Sequence, residues 1–342
     1  DMRAELRAGN RSIFSATLQA AVDQAIGQEE QVILFLNRRG SATYVFCRDC
    51  GWVATCPRCD IPLTQHCTRG EVAPTKADAL VCHRCGYQRA TVSRCPACGS
   101  RRVRAFGLGT EGLAAQVAER WPAARLMRWD RDVSASRGAH VTIMRAFARG
   151  DADILIGTQM IARGLDIPKV TVVGIISADT ALNLPDFRAA ERTFQTLAQV
   201  AGRAGRGILG GQVILQTYHP EHYAIQLAAA HDYETFAERE LAFRRRAGYP
   251  PAVRLARLLT AHRDPVRAQR SAELMAQRLR ALLTQRGLPI TELIGPAPAF
   301  FARVRGLYRW QILLRSMAPA DLLRPLELPP GWVVDIDPIN IL

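Results

Sequence analysis

Four C-x-x-C pairs lie between residues 47 and 98: Cys47/Cys50, Cys56/Cys59, Cys82/Cys85 and Cys95/Cys98. Each presents two sulfurs from one tight turn, and thiolates so spaced suit a small cation that takes tetrahedral coordination. Eight such thiols predict two Zn2+ sites of four cysteines each. The order is nested, with Cys56, Cys59, Cys82 and Cys85 inside the stretch bounded by Cys47, Cys50, Cys95 and Cys98. Pairing outer with outer and inner with inner gives two stacked knuckles that leave and re-enter another fold at nearly one point, as an insertion would. A disulfide framework is the rival. Against it, the chain opens Asp1-Met-Arg-Ala-Glu without a signal peptide, and repeated C-x-x-C pairs outside an oxidising compartment favour metal. Cys67 is a ninth, unpaired thiol; His66 and His83 compete as ligands, but four complete pairs leave them no place.

A second set of residues suits phosphate. Gln199-Val-Ala-Gly-Arg203-Ala-Gly-Arg206 sets two arginines three apart, each after a glycine, where a helix ends. Guanidinium groups match the spread charge of a transferring phosphoryl group. Upstream, strand Ile154 to Gly157 opens into Thr158, Gln159, Arg163 and Gly164, whose hydroxyl, amide and backbone N–H groups can grip phosphate oxygens. In this order the two segments resemble the last two motifs of a superfamily 2 helicase. The chain's two lysines, Lys76 and Lys169, sit in Thr-Lys-Ala and Pro-Lys-Val, so there is no Walker A loop, and no D-E-x-H or D-E-x-D stretch exists. Gly107-Leu-Gly109-Thr-Glu-Gly112, with Asp130 further on, is a local rival in the form of a dinucleotide fingerprint. The chain thus carries arginine fingers and no ATP pocket of its own. ATP and Mg2+ would come with a separate first lobe.

These groups need a frame. Apolar spacing predicts a helix over 14–26, strands at 32–36, 103–106, 126–129, 154–157, 170–176 and 212–217, and helices at 110–120, 139–148 and 189–201. Such alternation implies a parallel sheet with helices on both faces. A charged helix (224–246) leads to Gly248-Tyr249-Pro250-Pro251, a candidate boundary. Beyond it strand, helix, two strands, helix and strand predict a ferredoxin-like βαββαβ domain. The 342 residues carry a formal charge of +14, which two Zn2+ bound by eight thiolates would lower to about +10. That surplus, nearly all arginine, predicts a phosphate-backbone partner. The longest apolar run, Val170 to Ala178, is too short to span a membrane.

Several strings resemble the PriA family of bacterial replication-restart (primosomal) proteins: Val32 to Gly40, Cys50 to Cys59, Leu184 to Arg192, Gln199 to Arg206, and Tyr308 to Leu314. The resemblance implies an α/β, RecA-like second helicase lobe in two parts, residues 1–44 and 103–225. It implies a double zinc insertion over 45–102, a connecting helix over 226–249 and a C-terminal DNA- and partner-binding domain over 250–342. It pairs the cysteines outer with outer and inner with inner. The implied activity is ATP-driven 3′ to 5′ unwinding once the first lobe is joined, with recognition of stalled forks and reloading of the replicative helicase. Implied partners are branched, forked and single-stranded DNA, single-strand DNA-binding protein, and the primosome and helicase-loading proteins. A cytoplasmic monomer is expected, and this chain is expected to be the family's C-terminal part. After Arg163-Gly164 the family has His, a variable residue and an aromatic; here Leu165-Asp166-Ile167 stands, at a point that bears on ATP–DNA coupling.

The other reading is a fork-binding zinc scaffold that has kept the lobe only as structure; a Gly-Lys-Thr loop upstream would decide for the motor. In the C-terminal domain Arg309, Trp310 and Gln311 are candidates for partner binding, and Phe300/Phe301 for base stacking. Alternation along this strand predicts that Arg309 and Gln311 face away from Trp310, towards solvent or the acidic tail of single-strand DNA-binding protein. Arg101, Arg102 and Arg104, and Arg244 to Arg246, are candidate DNA contacts.

Overall fold

The computed structural model describes residues 1–36, 43–59, 61–65, 79–106, 109–130, 138–158, 167–201, 211–286 and 292–342. Five strands make a wholly parallel sheet in the order Gln212–Leu215, Val170–Ser177, Gln31–Leu36, Ile154–Gly157, Leu126–Trp129. The three central strands are buried along their whole length, as apolar runs covered on both faces must be. Their side chains alternate. Val32, Leu34 and Leu36 join Phe14, Leu18, Leu113 and Val117 on one face, under helices Ala16–Gly27 and Thr110–Arg120. Ile33 and Phe35 join Phe147, Phe194 and Leu197 on the other, under helices Ala139–Arg149 and Ala189–Ala201. A Cβ on Gly174 would stand 2.7 Å from Leu18 Cδ1 and 2.9 Å from Leu34 Cδ2, so only glycine lets helix Ala16–Gly27 lie this close to the sheet.

Val103–Phe106 does not belong to this sheet. It pairs antiparallel with Thr43–Cys47, and these neighbours begin a second, antiparallel sheet completed by Thr64–Gln65, Ala79–Val81 and Gln88–Ala90. The cysteine-rich segment therefore leaves along one strand and returns along its partner.

The third sheet is antiparallel, in the order Glu292–Val304, Leu307–Ser316, Arg254–His262, Trp332–Ile336. Helices Pro265–Arg286 and Pro319–Leu323 fall between its strands in the chain. Asp264 caps the long helix by accepting from Val266 N at 2.8 Å. That helix turns Ala268, Ala272, Met275, Ala276 and Leu279 onto Ala256, Leu258, Trp310, Ile312 and Leu314. The alanines allow close approach, and Trp310 is spent in this core. No helix among the described residues is long and apolar enough to cross a membrane.

Candidate functional site

Three of the four knuckles share one backbone pattern that begins in sequence as C-x-x-C-G. The first cysteine's carbonyl accepts from the glycine N–H (Cys47 from Gly51, Cys82 from Gly86, Cys95 from Gly99, each at 2.9 Å). Its own N–H donates one residue further on, to Trp52 O, Tyr87 O and Ser100 O at 2.7, 2.8 and 2.8 Å. The loop closes only if the glycine is left-handed, and Gly51, Gly86 and Gly99 have φ of 81°, 75° and 71°. In the fourth, Cys56 N donates to Ile61 O at 2.8 Å. The recurrent glycine is a sequence signal that the cysteine spacing alone did not use.

The sulfurs gather as Cys47, Cys50, Cys95, Cys98 and as Cys56, Cys59, Cys82, Cys85, all within 4.8 Å of one another in each group. Contacts between pairs are Cys47–Cys98 at 3.7 Å, Cys50–Cys95 at 3.6 Å and Cys56–Cys85 at 3.6 Å. A Zn–S bond of about 2.3 Å gives a tetrahedron with edges of about 3.8 Å, whereas a disulfide needs about 2.05 Å. The groups have the spacing of a four-thiolate metal site and not of disulfides. Burial pushes Cys47 up, Cys50 up to about 12 and Cys85 up to about 11. Cys82 is raised first by its bond to Cys59 and then by burial. Cys95 goes the other way: burial raises it, but the N–H groups of Cys98 and Ala97 outweigh that. A divalent ion reverses this balance by binding the thiolate form.

The knuckles dock on different bodies. The outer one meets the parallel-sheet lobe. A Cβ on Gly51 would lie 2.8 Å from Tyr218 O, Arg48 Nε donates to Tyr218 Oη at 3.3 Å, and Phe46 meets the Tyr218 ring edge-on at 4.7 Å. Beneath them Asp179, 1% exposed, accepts from Thr217 Oγ1, Tyr218 N and His219 Nδ1 at 2.9, 2.9 and 2.8 Å. Burial alone would lower the His219 imidazole; the hydrogen bond and charge of Asp179 outweigh it and hold it above its ordinary value.

The inner knuckle meets the C-terminal domain through its two middle residues. His83 and Arg84 are both buried. His83 Nδ1 lies 3.0 Å from Pro298 O, its carbonyl accepts from Gln311 Nε2 at 2.9 Å, and its ring packs edge-on to Phe300. Arg84 lies over the Tyr249 ring at 4.9 Å. Tyr249 stacks on Phe187 of the lobe and takes Arg315 at 5.7 Å. Leu255, Ile294, Leu313 and Ile341 complete the junction, and Cys85 packs against it.

The partner-binding candidates therefore divide. Gln311 does point away from Trp310, but not to solvent. It is 3% exposed, and its Oε1 accepts from Arg257 Nε at 2.8 Å while its amide serves His83. The inserted domain covers the face that strand alternation had left open. Arg309 is half-buried on the same face, and Phe301 is exposed beside buried Phe300.

Of the phosphate-gripping candidates, Gly157 is buried at the end of its strand and Thr158 half-buried just beyond, while Gln199 is exposed on the last turn of helix Ala189–Ala201. Gln159, Arg163, Gly164, Leu165, Asp166, Arg203 and Arg206 lie outside the described residues, as do Cys67, His66, Lys76 and Gly107. The helix that leads to the two arginines is clamped by residues that spacing did not single out. Glu191 accepts from Arg188 at 2.5 Å and from Arg244 of the connecting helix at 2.7 Å, and Arg192 donates to Ile339 O of the C-terminal domain at 2.7 Å. Arg244, a candidate DNA contact, is thus buried and paired.

The chain matches the Primosomal protein N C-terminal domain family over residues 245–339 and the Helicase conserved C-terminal domain family over residues 131–207. It is 46% identical to the replication restart protein PriA of Bacillus subtilis (strain 168) over 94% of this chain and 38% of that protein. It is 42% identical to that of Synechocystis over 100% of this chain and 41% of the other, and 41% identical to that of Treponema pallidum over 91% and 47%. The chain therefore spans less than half the length of these relatives. Among solved structures it is similar to the Pyrococcus furiosus Hef helicase domain with a TM-score of 0.27 at 17% identity, over 58% of this chain and 24% of that one, a likeness too slight to bear on the fold.

Proposed function

Since this chain belongs to the family of replication restart protein PriA, we propose that it works as a RecA-like second motor lobe carrying a two-zinc insertion and a ferredoxin-like C-terminal domain. In this reading ATP and Mg2+ sit on a first lobe. Arg203 and Arg206, which follow helix Ala189–Ala201 in sequence, stabilise the transferring phosphoryl group. Gln199 lies on the last turn of that helix. Gly157 and Thr158, with Gln159, Arg163 and Gly164, carry the state of that site to bound DNA, and the product is 3′ to 5′ unwinding.

Cys47, Cys50, Cys95 and Cys98 hold one Zn2+, and Cys56, Cys59, Cys82 and Cys85 the other. The zinc supplies cross-links and no chemistry. The insertion and C-terminal domain bind forked, branched and single-stranded DNA. With single-strand DNA-binding protein and the primosome proteins they bring the replicative helicase loader to the fork. Arg309 remains the residue on that strand with a side chain for an acidic tail, since Gln311 is engaged within the chain. The protein acts as a cytoplasmic monomer.

The observation that supports this reading best is the entry of two four-cysteine clusters into a parallel-sheet lobe through one pair of neighbouring strands. Competition between a fork and a blunt duplex of equal length, at two salt concentrations, tests it. The fork should bind more tightly, with log affinity falling by about 0.9 per phosphate contacted for each unit of log salt. Equal affinities and equal slopes would reduce the chain's contribution to unspecific charge.

A further inference from the structure

Strands Glu292–Val304 and Leu307–Ser316 are joined by a two-residue turn, Arg305-Gly306. Both residues are left-handed, at φ 50° and 79°, as a hairpin that follows the sheet's twist requires. Arg303 pairs with Tyr308 and Val304 with Leu307. Tyr308 also pairs with His262, the last residue of the neighbouring strand Arg254–His262. Past that row the hairpin projects without a flanking strand.

What it projects is unusual for a turn. Phe301, Val304 and Leu307 are 37%, 39% and 36% exposed. Arg303 and Arg305 are exposed among them, and Arg303 lies over the Tyr308 ring at 5.3 Å. Between Glu292 and Asp321 there is no acidic residue in the sequence, while Arg303, Arg305 and Arg309 fall in that stretch. Apolar side chains gathered at a projecting tip mark a contact surface. A protein groove would accept them, but the exposed arginines among them favour a polyanion. A hairpin is also narrow enough to enter a groove or an opened junction, where apolar side chains lie against a base stack while arginines take the phosphates.

We infer that this hairpin tip is a wedge for branched DNA. Val304 and Leu307 lie against the terminal base pair at a single-strand/duplex junction, and Arg303 and Arg305 hold phosphates on either arm. The inference rests on the reading that the chain binds forks, and the test separates the two. A fork with 2-aminopurine at its junction is titrated with the purified chain. The wild type should raise the junction fluorescence as the base pair unstacks. V304S/L307S should lose most of that rise and bind the fork no better than a blunt duplex. R303A/R305A should weaken both ligands and cut the salt slope by about 1.8, two phosphates' worth. Circular dichroism and zinc content check folding; if V304S/L307S misfolds, R305E carries the same test through the salt slope. Folded variants with wild-type fluorescence, affinity and slope would overturn the wedge and leave the tip to a protein partner. A wild type that binds neither ligand would overturn the fork-binding reading itself.

Discussion

Replacing Cys56 by serine should separate two roles that the zinc insertion combines. Cys56 belongs to the inner cluster alone, so an ion held there should leave and one held in the outer cluster stay. The lobe's own core does not involve the inner knuckle, and it should remain folded. The C-terminal domain should not stay docked. Cys82-His83-Arg84-Cys85 presents His83 and Arg84 to that domain only while both flanking thiolates are pinned. Their release forfeits two hydrogen bonds, His83–Pro298 and Gln311–His83, worth about 1 kcal/mol each. Undocking returns the Gln311 amide and the His83 ring to water, so the loss is about 2 kcal/mol, roughly thirtyfold in the docking equilibrium. Native mass spectrometry should show one zinc instead of two. Calorimetry should show the unfolding transition splitting in two, and trypsin should cut first near Arg244–Arg254. A variant that loses the inner ion and still melts in one unshifted transition would refute the latch.

Other consequences follow from particular residues. Gly51→Ala sets a Cβ 2.8 Å from Tyr218 O at a φ of 81°; the left-handed backbone alone costs about 1–2 kcal/mol, so the melting temperature should fall and the outer ion should exchange faster with a chelator, with no change at the inner site. Burial, and then the charge of His219, push the His222 imidazole down to about 4, and its Nδ1 accepts from Ala224 N at 3.2 Å, which the neutral ring alone can do. A lowered base favours the unfolded state once that state takes up the proton. Stability should therefore fall between about pH 6.5 and 4, by up to about 3 kcal/mol. His222→Asn should flatten that part of the curve, whereas an unchanged acid limb in chemical denaturation would count against it. In a protein with a working first lobe, Arg206→Ala should slow ATP turnover by about a thousandfold or more, and an unchanged rate would remove the arginine finger.

The two four-cysteine clusters were legible in sequence because each C-x-x-C turn is local, and nesting left one economical pairing. The parallel strands were legible for a similar reason: Val32 to Leu36 and Val170 to Ser177 are apolar without alternation, which only a doubly covered sheet permits. What was not legible is which surfaces meet. Val103 to Phe106 has the composition of a strand whichever sheet it joins, and only the return of the insertion onto Thr43–Cys47 decides it. Alternation correctly set Gln311 opposite Trp310, but it says nothing of what covers that face. Tyr249 lies in a Gly-Tyr-Pro-Pro string that marks a boundary in one dimension. In three it is the hub where lobe, insertion and C-terminal domain join. The clamp on helix Ala189–Ala201 escaped for the same reason, since Arg244 reaches Glu191 and Ile339 reaches Arg192 from distant parts of the chain.

On the proposed reading, eight cysteines hold two zinc ions, which fasten the insertion to the parallel-sheet lobe on one side and to the C-terminal domain on the other. Native mass spectrometry with zinc-edge X-ray absorption on the purified chain tests it most directly. Two zinc ions per chain are expected, each with four sulfur neighbours at about 2.3 Å. One ion per chain, nitrogen or oxygen in the coordination shell, or the absorbance of an iron–sulfur cluster would contradict it.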